Sequence, residues 1–204
     1  MTASLLAREQ ELAALNASLE EQVAQRTEAL TRANAELERL ATHDALTGLF
    51  NRRFFDDTLR THHLAAQRAG KPFGLLVLDM DHFKRVNDNY GHAAGDAVLQ
   101  VLADVLLESV RATDFVARFG GEEFVVLLPD VVDAAQGQVV AEKVRAAVAS
   151  TLFPSVGAAT VSVGLSCWAA SDRDAHDVFA RADKALYEAK MQGRNRVMAL
   201  MQAV

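Results

Sequence analysis

The sequence predicts an α+β fold, a mixed, five-stranded sheet flanked by helices and preceded by a long helix of coiled-coil type. Three observations lead there. Residues 3–41 contain neither glycine nor proline and repeat apolar residues in steps of three and four. Over the rest of the chain, apolar runs of strand length alternate with amphipathic helical stretches. Two of those runs, 115–117 and 124–128, are close enough to form a hairpin, which makes the sheet mixed rather than purely parallel.

In order, Leu12, Leu15, Leu19, Val23, Leu30, Ala33, Leu37 and Leu40 form a narrow seam, with Arg26 in the one remaining seam position. So narrow an apolar stripe belongs to a coiled coil rather than to a helix lying on a broad core. Leu15, Leu19 and Val23 follow one another in steps of four, a stutter that locally unwinds a supercoil. The segment reads equally as a passive dimerisation stalk or as a signalling helix with two registers, and 1–41 and 42–204 are taken as separate domains. Helix resumes over 51–69 and stops at Gly70, with Pro72 beyond. The continuous apolar run 73–78 predicts a buried central strand. Helix follows over 93–109, the hairpin is closed by Pro129, and a helix spans 133–149. A strand over 160–168, a helix over 174–191 capped by Gly193 and a last strand over 195–200 complete the five.

A chain of 204 residues is long enough to bury a proper core beside the appendage. Its net charge of −6 argues against nucleic acid or an anionic membrane surface as a general partner. No apolar stretch reaches the ~18 residues of a membrane span, and the single cysteine, Cys167, suits a reducing compartment. The expected location is the cytoplasm.

Two acidic groups carry the chemistry. The hairpin presents Arg118-Phe119-Gly120-Gly121-Glu122-Glu123-Phe124, with its turn expected at the glycines and both glutamates at the tip. Two carboxylates about 4 Å apart repel by roughly 4 kcal/mol at an effective dielectric near 20, so a fold that keeps them together supplies a cation. Taken alone, the same stretch is also a solvated turn. Asp79 ends the central strand and makes an Asp-x-Asp pair with Asp81 on one side of the extended chain. Hard oxygen ligands at a strand end suit Mg²⁺. Asp79 is the metal ligand of the two, and Asp81 reads as a cap on the turn that follows.

Several ordered blocks then resemble the GGDEF diguanylate cyclases. They are Asp44-Ala45-Leu46-Thr47-Gly48-Leu49-Phe50-Asn51-Arg52-Arg53, Asp79-Met80-Asp81-His82-Phe83-Lys84, Asn87-Asp88, Gly91-His92 and Gly95-Asp96, then the hairpin and the stretch from Ala182 to Asn195. The resemblance runs from Asp44 to Arg196, with Glu122 where the family name has aspartate. It implies a polymerase-palm-like sheet related to nucleotide cyclases, with a ferredoxin-like core, and condensation of two GTP into cyclic di-GMP. By resemblance, Asp79, the Met80 carbonyl, Glu122 and Glu123 hold two Mg²⁺ ions, for which Mn²⁺ can substitute. Glu122 and Lys84 are the catalytic residues, although a metal-bound 3′-hydroxyl needs little help from a carboxylate base. Substrate binding falls to Asn87, His92, Asp96, Lys190, Arg194 and the hairpin's Gly120 and Gly121. Asn87 and Asp96 read guanine, while Lys84, Lys190 and Arg194 neutralise phosphates. Without the matched blocks, Lys190 and Arg194 are ordinary charge at a helix C-terminus.

Arg111-Ala112-Thr113-Asp114 resembles the family's inhibitory site for cyclic di-GMP, with Arg111 and Asp114 as its grip. The bare pattern is otherwise an exposed ion pair worth under about 1 kcal/mol. A second basic contact, Lys143 or Arg145, is left open. Because one domain holds one GTP, the resemblance implies a homodimer through the N-terminal helix, with a sensor upstream of it. The competing readings are a non-catalytic cyclic di-GMP receptor and a dimerisation module. Both predict a damaged acidic cluster, whereas here it is intact.

Overall fold

The computed structural model describes residues 2–131 and 133–201, and for 2–15, 17 and 18 the backbone alone. In chain order the elements are α1 (Thr2–Thr42), β1 (Phe50–Asn51), α2 (Arg52–Ala69), β2 (Phe73–Met80), α3 (Phe83–Tyr90) and α4 (His92–Ser109). There follow β3 (Phe115–Gly120), β4 (Glu123–Pro129), α5 (Ala134–Ser150), β5 (Leu152–Phe153), β6 (Gly157–Ala158), β7 (Val161–Cys167), α6 (Ala175–Met191) and β8 (Val197–Ala199). By its contacts the chain divides after Ala41 into two units.

The first unit is helix. Its seam residues Leu19, Val23, Leu30, Leu37 and Leu40 are all exposed on the single chain, while Leu12 and Leu15 lie outside the described side chains.

The second unit is built around β2. Its eight residues are all buried, as its unbroken apolar run requires, because helices cover both faces of the sheet. Leu76, Leu78 and Met80 face one way, into a core closed by Val98, Leu99, Leu102 and Leu106 of α4 and Ala141, Val144 and Val148 of α5. Phe73, Leu75 and Val77 face the other way, against Phe55 and Leu59 of α2 and Val178, Ala182 and Leu186 of α6. Helix ends follow local chemistry. Asn51, Asp133 and Asp174 cap α2, α5 and α6 by accepting main-chain amides, and Gly70 ends α2 in the left-handed conformation.

Among the described residues the sheet has six strands, in the order β1-β3-β4-β2-β7-β8, and β5 and β6 form a separate two-stranded pair. Pairing is antiparallel from β3 through β7 and parallel at both ends, so the sheet is mixed as expected. The count corrects the five strands expected. β1 is two residues long, too short for any alternation, and so are β5 and β6. The eight-residue α3 is likewise absent from the expectation; Gly91, at φ 82°, separates it from α4. One contact fixes how α6 lies on the sheet. A Cβ at Gly164 would fall 2.0 Å from the Ala182 carbonyl oxygen and 2.3 Å from the Leu186 nitrogen, so only glycine lets this helix rest on the backbone of β7.

Candidate active site

Alternation along β2 places Asp79 on the α2/α6 face, next after Phe73, Leu75 and Val77 and at the strand's exit from the core. Antiparallel pairing sets Asp79 opposite Glu123 of β4 and Ser162 of β7. The hairpin turn is Gly121-Glu122 rather than Gly120-Gly121, with Gly121 at φ 50°. The reason is a bulge: pairing shifts between Arg118 and Gly120, so Phe119 has no partner in the ladder. Glu123 is therefore a strand residue and Glu122 alone is in the turn. The Met80 amide donates to the Glu122 carbonyl at 3.3 Å, tying the turn to the strand end that carries Asp79.

The electrostatics are unbalanced. Burial, above all, pushes the Asp79 carboxyl above the ordinary carboxylate range; the Lys190 ammonium, 2.8 Å from Asp79 Oδ2, pulls it back, and the charges on Glu122 and Asp81 add to the rise. Glu123 is raised too, by burial first and then by Asp79, with Lys190 opposing and Asp183 and Glu122 adding. Five carboxylates (Asp79, Asp81, Glu122, Glu123 and Asp183) thus act on this strand end, and Lys190, paired with Asp79, opposes the rise at both Asp79 and Glu123. Among the described residues no three His, Cys, Asp or Glu side chains close into a ready metal cage. Mg²⁺ in general keeps several waters and is completed by substrate phosphates. Asp79, Glu122, Glu123 and the Met80 carbonyl are the oxygen donors that can hold it.

The turn itself is braced. Arg118 donates from Nε and Nη2 to the Gly121 carbonyl at 3.0 and 2.8 Å, and from Nη1 to Asp44 at 3.0 and 3.3 Å. Burial pushes the Asp44 carboxyl up, but hydrogen bonds from the Thr47 hydroxyl and amide and from Arg118 outweigh it and hold Asp44 low. Phe119 packs against Phe179 with ring centres 4.8 Å apart and planes tilted by 31°, and the Arg52 guanidinium lies 4.3 Å from the centre of the Phe119 ring.

The remaining expected residues fall into three places. Lys84 and Asn87 are on α3, one turn apart, and the Asn87 side chain packs against Gly95 of α4, where a Cβ would approach Asn87 Oδ1 to 2.0 Å. Asp96 follows Gly95 in the helix that starts at His92. Lys190 is in the last turn of α6, and Gly193 and Arg194 follow in the loop beyond Met191. The Lys190 ammonium pairs with Asp79 Oδ2 at 2.8 Å. Asp81 differs from expectation. It caps no following turn but accepts from Thr160, Ser162 and Asn195, all distant in sequence.

Arg111 and Asp114 lie elsewhere, at the far end of β3, roughly 20 Å along the strand from the hairpin. They close a turn reciprocally, the Arg111 amide donating to Asp114 Oδ2 at 2.8 Å and the Asp114 amide to the Arg111 carbonyl at 2.9 Å. With Leu49, Phe50, Leu107 and Val110 they line a cavity of about 330 Å³. Arg145 is bound to Glu142 and to Asn195 Oδ1. Pattern reading missed Asp183, the Arg118–Asp44 brace and the partners of Asp81. A carboxylate two helical turns before Lys190, on the same face of α6, was the signal available for Asp183.

The family model for the diguanylate cyclase GGDEF domain matches residues 41–196. The chain belongs to this family. It is 44% identical over 160 residues to the diguanylate cyclase DgcP of Pseudomonas aeruginosa, covering 77% of this chain and 24% of that protein. It is 41% identical over 169 residues to the diguanylate cyclase DgcM of Escherichia coli, covering 82% of this chain and 40% of that one. The chain thus spans well under half the length of these curated relatives. A crystal structure of the coiled coil and GGDEF domain of DgcB from Caulobacter crescentus, in complex with c-di-GMP, superposes with a TM-score of 0.79 at 38% identity. That match covers 90% of this chain and all of the other. Among the described residues no helix is long and apolar enough to cross a membrane.

Proposed function

We propose that the GGDEF domain of this chain is a diguanylate cyclase, condensing two GTP into cyclic di-GMP with release of two pyrophosphates in the cytoplasm. The observation that carries the reading is Asp79 at the end of β2, paired across the ladder with Glu123 and beside Glu122, with one lysine against their charge. Bound there, two Mg²⁺ ions supply Lewis-acid stabilisation of the attacking and leaving oxygens. Asp79, Glu122, Glu123 and the Met80 carbonyl hold them. Lys84, Lys190 and Arg194 take the phosphate charge, and the hairpin glycines leave room for the triphosphate beside the main chain. Asp96 and Asn87 accept from and donate to the guanine edge; adenine lacks the N1–H and N2–H donors, which would leave Asp96 unpaired.

Each 3′-oxygen forms a bond to the α-phosphorus of the other GTP and each α–β bridging bond breaks, so two domains must face one another. The exposed seam of α1 supports dimerisation through a coiled coil, which raises the local concentration of the second site. The Arg111–Asp114 turn and its cavity support a product site remote from the chemistry. Incubation with GTP and Mg²⁺, followed by chromatography, is expected to yield cyclic di-GMP and pyrophosphate. Binding of cyclic di-GMP without turnover would replace the enzyme by a receptor.

A further inference from the structure

We propose that Asp81 is a positioning residue for the phosphate-binding loop, holding Arg194 in place without touching substrate; this rests on the cyclase reading above. The carboxylate is 7% exposed and makes three hydrogen bonds. Oδ1 accepts from the Ser162 hydroxyl at 2.7 Å, and Oδ2 accepts from the Thr160 hydroxyl at 2.7 Å and the Asn195 amide at 3.0 Å. Two of these donors belong to the start of β7, and the Asp81 amide itself donates to the Thr160 carbonyl at 2.9 Å. The third belongs to the loop after α6. Asp81 is thus a bridge from the start of the interior strand β7 to that loop.

The loop needs such a bridge. Arg194 and Asn195 are consecutive non-glycine residues in the left-handed region, at φ 62° and 46°. Side chains disfavour this conformation, and it persists only where surrounding bonds over-determine it. The Arg194 amide donates to Ala189, the Arg196 side chain to the Arg194 carbonyl, and Arg145 to the Asn195 side chain. Asp81 is the partner that links the strained pair directly to the strand end bearing Asp79. One strand end therefore carries Asp79 and, two residues on, the carboxylate that positions Arg194.

An asparagine at this position can reproduce the bonds, with its oxygen toward Asn195 and Thr160 and its amide toward the Ser162 hydroxyl. Alanine cannot. The test measures hydrogen exchange at the Asn195 amide without nucleotide, and KM and kcat for GTP with Mg²⁺, in Asp81→Ala, Asp81→Asn, Arg194→Ala and the double variant. Asp81→Ala is expected to speed exchange at Asn195 at least tenfold and to raise KM about tenfold with a smaller change in kcat. Asp81→Asn should stay close to the parent in both. Adding Asp81→Ala to Arg194→Ala should cost less than a further twofold, because the residue being positioned is already gone. If Asp81→Ala does not fold, Asp81→Ser, too short to reach Asn195, carries the same expectations. Unchanged exchange and KM, or effects of the two alanine variants that multiply in full, would overturn the assignment. A parent inert toward GTP overturns the cyclase reading itself, whereas an active parent with an indifferent Asp81 overturns only the positioning role.

Discussion

Asp79 and Asp81 stand two residues apart at one strand end, both largely buried, in opposite surroundings. Asp81 is saturated by three donors. Asp79 has one lysine and is crowded by Glu122, Asp81 and, across the ladder, Glu123. The contrast recurs across the domain. Asp44 is satisfied by Thr47 and Arg118, and Asp172 takes both Arg181 nitrogens and the Ala169 amide. Carboxylates that complete their bonding within the protein hold the fold together. Those left with surplus charge are kept at a cost to stability, and that surplus is what a divalent ion and a triphosphate can use.

Four measurements break or sharpen this contrast. The largest effect is expected from Glu122→Ala, which should lower cyclase turnover by about a thousandfold or more with an unchanged circular dichroism spectrum, since the turn residue supports no core contact. A melting temperature well below the parent's would move Glu122 into the scaffold class. Next, Asp172→Ala should destabilise the domain by about 3–5 kcal/mol in urea titrations, because it takes the paired carboxylate away from the largely buried Arg181. A loss below about 1 kcal/mol would show that the pair is no scaffold. Third, Asp79→Asn should abolish activity yet raise the melting temperature by about 2 °C, since burial and the neighbouring carboxylates disfavour the charged form of Asp79. A lower melting temperature would mean that the Lys190 bond outweighs burial and repulsion.

The smallest effect is in pH. A carboxyl raised in the folded state contributes most below its unfolded pKa, and that contribution is lost as pH rises through its folded value. Acidifying the metal-free parent from pH 7 toward the ordinary carboxylate range should therefore relieve Asp79 and Glu123 and raise its melting temperature slightly. Asp44, held low, keeps its contribution above its unfolded pKa and loses it only as pH falls further. The double variant Asp79→Asn/Glu123→Gln should lose the rise; a rise of equal size there would assign it to other groups.

How much of this the sequence revealed depended on the range of each interaction. The apolar run of β2, the glycine stop after α2 and the capping aspartates before α5 and α6 are local signals, and the elements they mark lie within two residues of where pattern reading put them. The acidic strand end and the acidic hairpin were legible as separate features. The hairpin turn was misplaced by one residue, because the bulge at Phe119 depends on the partner strand. β1, β5 and β6 carry too few residues to show a period. The partners of Asp81 are 79 to 114 residues away, and nothing in a local pattern joins them. The same holds for Arg118 and Asp44, 74 residues apart.

Gly164 has no side chain and no part in any chemistry, yet it governs the elevation at which α6 rides over the sheet. Asp183 and Lys190 project from that helix, and Arg194 hangs from its end. Even a single methyl group at the middle of β7 would lift this whole assembly away from Asp79, like a shim under one end of a beam. The clearance of the charged gap is thus set by a position in the sheet's interior, where a search for functional groups would find nothing to notice.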